Sequence, residues 1–213
     1  MGPFDNFDQI YYINLDKRVD RNEQILDEMK KMDFDMSKVT RISGINHEIG
    51  SLGCSMSHLN ILLDCQKKNY KNCLIFEDDF VFKNTKQETY KILSDFWNTN
   101  KQWDIVMFSG YIRKYKPTDF KFLFKVIDAQ TTSGYAVNKC FLPTLIKNYQ
   151  EGIDQYIKLN KKNGQLCIDI YWKKLQENAN WFVLYPKLGS QRPGYSDIEK
   201  KIVNYKVEIN DIH

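Results

Sequence analysis

The chain has 213 residues, 42% of them hydrophobic and 27% charged, with a formal net charge of +4. That length supplies one domain with a core of its own, and the composition is that of a folded globular protein rather than a disordered one. The positive excess is thin and scattered in pairs such as Lys67-Lys68 and Lys161-Lys162, which excludes a basic nucleic-acid stripe but suits a phosphate-bearing ligand.

In chain order, Gln9 to Leu15 (QIYYINL) reads as a buried strand. A polar turn follows. A helix is predicted from Asp20 to Met32, with Asp20 as N-cap and Ile25, Leu26, Met29 and Met32 on one side. Residues 34–38 read as a turn, Val39 to Ile42 as a short strand, and Gly50 to Gly53 as a loop. A helix is predicted from Ser55 to Lys67, carrying Met56, Leu59 and Leu63 on one face. Cys73 to Phe76 is an apolar strand that runs into Glu77-Asp78-Asp79. A helix over Lys86–Trp97 and a strand over Trp103–Phe108 come next. Strands are predicted over Phe120–Val126 and Ser133–Val137, and helices over Pro143–Tyr149, Ile153–Leu159 and Ile168–Glu177. Trp181–Tyr185 is a last strand, and the tail from Pro186 is expected to be extended or looped. Strands alternating with helices predict an α/β sheet with some parallel strands, in one domain spanning residues 1–213.

The cysteines are Cys54, Cys65, Cys73, Cys140 and Cys167. Their odd number and the lack of any C-x-x-C pair argue against a zinc site or a disulfide framework, and leave buried free thiols as the default. No run of about 18 apolar residues exists, so no transmembrane segment is expected. The start of the chain lacks a secretory pattern. A cytoplasmic location is therefore the expectation, with the ER lumen as the alternative if the chain continues upstream.

The sharpest chemical feature is Glu77-Asp78-Asp79, set between the apolar runs 74–76 and 80–82. Adjacent carboxylates at a strand end repel one another. A hard divalent cation, Mn²⁺ or Mg²⁺, relieves that repulsion and would bridge a diphosphate. An acidic turn capping the next element is the structural alternative. Asn14-Leu15-Asp16-Lys17-Arg18-Val19-Asp20-Arg21 joins a strand to a helix N-terminus with two arginines, a combination suited to phosphate; a helix cap with surface ion pairs explains it equally. In Gly53-Cys54-Ser55-Met56-Ser57-His58, His58 can be a core histidine. The hydroxyl-rich run 131–133 with Gly134 allows close backbone approach to a ligand, or is a plain turn. Asp169 follows the apolar run 166–168 and can be a cap or a general base. Residues 190–198, which include Gln191, Ser196 and Asp197, form a polar loop rich in donors.

Taken together and in this order, Asn14-Leu15-Asp16…Arg18…Arg21, Gly53-Cys54…Ser57-His58, Glu77-Asp78-Asp79 and Ser133-Gly134-Tyr135 resemble glycosyltransferase family 25. That family includes the bacterial lipooligosaccharide and the collagen β-galactosyltransferases. The resemblance runs from about Tyr12 to Asp197, and the tail looks more like the collagen-modifying branch. It implies a GT-A-type fold, a Rossmann-like mixed sheet flanked by helices. It also implies an inverting, metal-dependent transfer of a hexose, galactose first and glucose second, from a UDP-sugar. The acceptor would be a hydroxyl on a glycan or on a collagen-like hydroxylysine. By the same resemblance Glu77 and Asp79 would hold Mn²⁺ or Mg²⁺. Asn14, Leu15, Arg18, Arg21, Ser57, His58, Asp78, Gly134, Tyr135, Gln191, Ser196 and Asp197 would contact the donor, and Asp169 is the candidate base. A metal-dependent phosphoester hydrolase and a non-catalytic nucleotide-sugar-binding homologue are the competing readings. A dinucleotide fold is disfavoured because no G-x-G-x-x-G follows the first strand.

Overall fold

The structure, a computed structural model, describes residues 2–204. Its first strand, β1 (Gln9–Asn14), shows why the strand sequences read as unbroken apolar runs. Ile10 and Tyr12 point into one hydrophobic layer and Tyr11 into another. Strand β3 (Asn72–Glu77) repeats this, with Leu74 and Phe76 on the first side and Cys73 and Ile75 on the second. Side chains alternate across a sheet, so a strand covered on both faces must be apolar at every position. Helices α1 (Val19–Lys31) and α3 (Lys86–Asn98) cover the first face through Ile25, Met29, Leu93 and Phe96. Helices α2 (Gly50–Lys68) and α4 (Leu142–Leu159) cover the second through Leu59, Leu62, Leu145 and Tyr149.

The remaining strands are β2 (Val39–Ser43), β4 (Phe80–Phe82), β5 (Ile105–Met107), β6 (Tyr111–Pro117), β7 (Leu123–Gln130), β8 (Gly134–Asn138), β9 (Trp181–Leu184), β10 (Gly189–Gln191), β11 (Gly194–Ser196) and β12 (Lys201–Val203). Eight of the strands form one mixed sheet in the order β2-β1-β3-β8-β5-β9-β7-β6. β1 lies parallel to both β2 and β3, while β8 lies antiparallel to β3 and β5. The chain leaves β1 toward β2 over one face and returns past β1 to β3 over the other. This reversal opens a crevice beyond the carboxyl ends of β1 and β3, where α/β sheets place their ligands. Ile13 and Glu77 are register partners at that edge. The expected α/β class, with a mixed Rossmann-like sheet flanked by helices, is therefore what the chain forms.

Several local expectations are corrected. Asp20 is not the N-cap of α1; Arg18 holds that position, and the Asp20 carboxylate takes a two-pronged contact from the Arg18 guanidinium at 2.8 and 2.7 Å. Residues 50–53 are not a loop but the first turn of α2, with Ser51, Leu52 and Gly53 buried. The two predicted helices over 143–159 are one continuous helix, because Gly152 packs against the Tyr171 ring instead of breaking it. The helix predicted over 168–177 is split into the short α5 (Ile168–Tyr171) and α6 (Lys173–Gln176). The tail, expected to be extended or looped, carries the short strands β10, β11 and β12. Strand β6 escapes the pattern because it is the sheet edge, and its charged residues, including Arg113 and Lys114, stay in water.

Strands β4 and β10 pair antiparallel, and this pairing fixes the turn that holds the acidic residues. The Phe80 ring is fully buried between two glycines. A β-carbon on Gly134 would stand 2.6 Å from Phe80 Cε2, and one on Gly189 would stand 2.2 Å from Cζ. Phe80 directly follows Asp79 in sequence, so the glycine cradle anchors the carboxylate next to it. Gly189→Ala is expected to destabilise the protein by about 1–3 kcal/mol through overpacking. Gly194→Ala, where a β-carbon would meet nothing within 4 Å, should change stability by less than about 0.5 kcal/mol. Urea denaturation of the two variants measures the difference.

Candidate active site

The crevice beyond β1 and β3 is a cleft of about 640 Å³. β3 delivers Glu77 to its floor, and the turn into β4 supplies Asp78 and Asp79. Each carboxylate meets a different neighbourhood. Glu77 Oε1 accepts from the Thr132 hydroxyl at 2.6 Å and lies 3.2 Å from His58 Nε2. Asp78 Oδ2 accepts from Asn14 Nδ2 at 2.8 Å, and Oδ1 accepts from Arg21 Nη1 at 3.0 Å. Asp79 has the poorest set: Arg21 Nη1 and Gln191 Nε2 both reach Oδ2, but only at 3.4 Å. Its Oδ1 is buried with no hydrogen-bond partner among the described residues.

The proton affinities follow these contacts. Burial pushes the Asp79 carboxyl up to about 7; the charges of Glu77 and Asp78 add to the rise, and Arg21 opposes it. Burial also raises Asp78, against Arg21 and Asn14. For Glu77 burial is the largest single influence and acts upward, but His58, Thr132 and Arg21 together prevail and hold it below its ordinary value. Of two neighbouring acids in one cleft, one is thus held ionised and the other is held toward its neutral form.

Behind Glu77 runs a buried relay. The Tyr149 hydroxyl donates to the Tyr135 hydroxyl at 3.3 Å, and Tyr135 lies 3.1 Å from His58 Nδ1. With Tyr149 donating, the Tyr135 proton is left for Nδ1, and Nε2 carries the hydrogen that faces Glu77. On another wall, Asp169 starts α5, and its Oδ2 accepts from the Thr131 backbone N–H at 3.2 Å. Burial pushes the Asp169 carboxyl above its ordinary value, and the charge of Glu77 adds to this.

Of the residues predicted from sequence, Leu15, Arg21, Ser57, His58, Glu77, Asp78, Asp79, Asp169, Gln191, Ser196 and Asp197 all border the cleft. Asn14, Arg18, Gly134 and Tyr135 do not. Asn14 is buried and steadies Asp78 from behind. Gly134 faces the Phe80 ring, and Tyr135 is the middle of the relay. Arg18 binds Asp20 and Asp197, tying the tail to the first turn of α1. Ser57 is engaged locally: its hydroxyl donates to the Gly53 carbonyl at 2.7 Å and accepts from Ile45 N–H at 2.8 Å. Asp197 is paired with Lys17 and Arg18 at 2.7 and 2.8 Å.

Four residues that shape the site carry no role in the sequence motifs: Thr132, Ser109, Ser133 and Cys54. Thr132 stands in the hydroxyl-rich run 131–133, and its hydroxyl holds Glu77. Ser109 and Ser133 share a 2.6 Å hydrogen bond at the cleft wall, and nothing in their spacing announces the pair. Cys54 lies one helical turn before His58, a spacing that places both on one side of α2.

Residues 46–163, more than half of the chain, match the model of glycosyltransferase family 25, described as "LPS biosynthesis protein". A curated relative, procollagen galactosyltransferase 1-A of Xenopus laevis, is 24% identical over 127 residues, which cover 47% of this chain and 21% of that one. The chain therefore spans about a fifth of that relative's length. Among solved structures, A197 from STIV superimposes with a TM-score of 0.50 at 14% identity, covering 96% of this chain and 97% of that one. A glycosyltransferase involved in the glycosylation of the major capsid of PBCV-1 gives a TM-score of 0.52 at 9% identity, covering 86% and 92%. At these identities the structural likeness is one of fold.

The raised Asp79 carboxyl has a consequence for stability. The unfolded chain loses this proton near the ordinary Asp value of about 3.9, while the folded protein keeps it to about 7. In that window the folded state binds more protons, so stability falls as pH rises and levels off above about 7. Asp79→Asn should remove this part of the slope. Unfolding free energies of the metal-free protein and the variant, measured in urea across that pH range, check it; parallel curves would refute it.

Proposed function

The chain belongs to glycosyltransferase family 25, and on that premise we propose that it transfers a hexose from a UDP-sugar to an acceptor hydroxyl, with inversion at the anomeric carbon. Galactose is the first choice of sugar and glucose the second. The name of the Xenopus relative and the description of the family model favour an acceptor on a collagen-like hydroxylysine or a glycan.

The observation that carries this reading is the partnerless, buried Oδ1 of Asp79 beside two further carboxylates. A buried acceptor oxygen left unsatisfied is costly, and a hard divalent ion is the partner that oxygen ligands suit. The donor set therefore fits Mn²⁺ or Mg²⁺, with Asp79 as the direct ligand and Glu77 beside it. When bound, such an ion supplies Lewis-acid stabilisation of charge on the departing diphosphate. The chain's own residues do the rest. Arg21 holds Asp78 and Asp79 in place. His58 and Thr132 fix the Glu77 carboxylate. Asp169 takes the acceptor proton as the acceptor oxygen bonds to the anomeric carbon, while the bond from that carbon to the diphosphate oxygen breaks and its electron pair leaves with UDP. A carboxyl whose affinity for protons is raised by burial is a better base than an exposed one.

Incubation with a panel of UDP-sugars, with and without Mn²⁺, is expected to release UDP from one donor only when the ion is present. Absence of both release and binding for every UDP-sugar would overturn the reading. Asp169→Asn should lower turnover by about 10²–10⁴-fold while donor affinity, read by calorimetry, stays near the starting value. Turnover within about twofold of the original would remove Asp169 from the role of base.

A further inference from the structure

One cluster at the floor of the cleft is chemically unlike the hard carboxylate edge at Asp79. Cys54, His58 and Glu77 each offer one ligand atom, and these atoms all lie within 4.8 Å of one another. All three residues border the cleft, so an ion can reach them. We propose that Cys54, His58 and Glu77 form a second cation site, distinct from the hard-ion edge at Asp79, that takes a thiophilic divalent ion of the Zn²⁺ class.

The ligand types decide the ion. A thiolate, an imidazole and a carboxylate make a three-ligand set with a fourth position left to the cleft, the arrangement zinc adopts when it keeps an open site. A thiolate selects against Mg²⁺ and Mn²⁺, which prefer oxygen. Zinc bonds of about 2.0–2.3 Å set tetrahedral ligand atoms roughly 3.3–3.8 Å apart, so the cluster closes around an ion by side-chain adjustments of about 1 Å. Charge also balances: one thiolate and one carboxylate neutralise a dication. The Cys54 sulfur binds as a thiolate, so the thiol must give up its proton to the incoming ion's charge. On binding, that proton goes to solvent and a sulfur–metal bond forms.

The surroundings supply the outer contacts that ligating histidines need. His58 turns its other nitrogen toward the Tyr135 hydroxyl at 3.1 Å. Both phenols can donate or accept. When Nε2 takes the ion, the imidazole hydrogen sits on Nδ1 and donates to Tyr135, which donates onward to Tyr149, and His58 stays neutral. Glu77 keeps its Thr132 contact. Counting cysteines in the sequence argued against zinc because no cysteine pair exists; this ligand set uses only one cysteine, a helical turn from a histidine, and takes its third member from β3.

The site stands on these contacts and not on the transfer reaction, so its test reads metal binding rather than activity. Co²⁺ added to the metal-free protein should bind with a sulfur-to-cobalt charge-transfer band in the near ultraviolet. Cys54→Ser should lose the band, whereas Asp79→Asn and Cys167→Ser should keep it. In the unmodified protein, Zn²⁺ should slow alkylation of Cys54 at least about tenfold, a change worth about 1.4 kcal/mol, and leave the exposed Cys140 unaffected, as read by mass spectrometry. Absence of the band, its persistence in Cys54→Ser, its loss in Asp79→Asn, or no protection of Cys54 would each overturn the site.

Discussion

Three consecutive carboxylates held in one cleft impose the constraint around which the rest of the molecule is arranged. Asp78 and Asp79 are each 8% exposed, and Glu77 is only partly open. Removing such charges from water is expensive, and the cost falls only if each finds its own partner. The fold recruits these partners from distant parts of the chain. Arg21 comes from the first turn of α1, Asn14 from the end of β1, His58 from α2, Thr132 from the approach to β8 and Gln191 from β10. All of them converge because the sheet reverses its strand order beside β1, so the ends of β1 and β3 and the starts of α1 and α2 meet there.

The same constraint explains the arginines and the tail. Arg21 is largely buried and its guanidinium spans Asp78 and Asp79, while its other arm donates to the Tyr195 carbonyl at 2.7 Å. Arg18 reaches Tyr195 and Asp197. The Arg192 backbone N–H donates to the Asp79 carbonyl at 2.6 Å, and its guanidinium reaches the buried Glu28, which itself accepts from Phe82 N–H. The acidic turn is thereby clamped between α1 and the segment 189–197. Exposed pairs such as Lys30–Asp27 contribute little by comparison. The difference lies in burial and in sharing one donor among several acceptors, not in the number of charges.

Most of the framework was legible because burial on both sheet faces leaves a direct trace: Gln9–Asn14, Asn72–Glu77 and Trp181–Leu184 are apolar at every interior position. The acidic triplet stood out for the opposite reason, since charge between two apolar runs demands an explanation. What stayed hidden was whatever depends on tertiary partners. Residues 50–53 carry two glycines and read as a loop, yet the turn is helical because Gly53 lets α2 approach the Ile45 carbonyl, which a β-carbon would meet at 2.3 Å. Arg18, Gly134 and Tyr135 belong to the recognised motifs, but they act on other residues of the chain and not on the cleft. Spacing records that such residues matter together; it does not record which way their side chains face.

The uneven provision for the three acids is the part of the arrangement that bears on chemistry. A protein selected only for stability would satisfy both oxygens of Asp79, and the means are close by, since Arg21 and Gln191 already touch Oδ2. Both contacts are long and fall on the same oxygen, which leaves Oδ1 without a partner among the described residues. Glu77 is treated in the reverse way: two short-range donors fix one of its oxygens and hold it ionised. A fixed, charged acid beside an under-satisfied one concentrates negative potential at one point of the cleft, and it does so before any ligand arrives. Preorganisation of this kind moves the energetic cost from the moment of binding to the moment of folding. The buried relay from Tyr149 through Tyr135 to His58 serves the same end, because it holds the orientation of the imidazole that in turn holds Glu77.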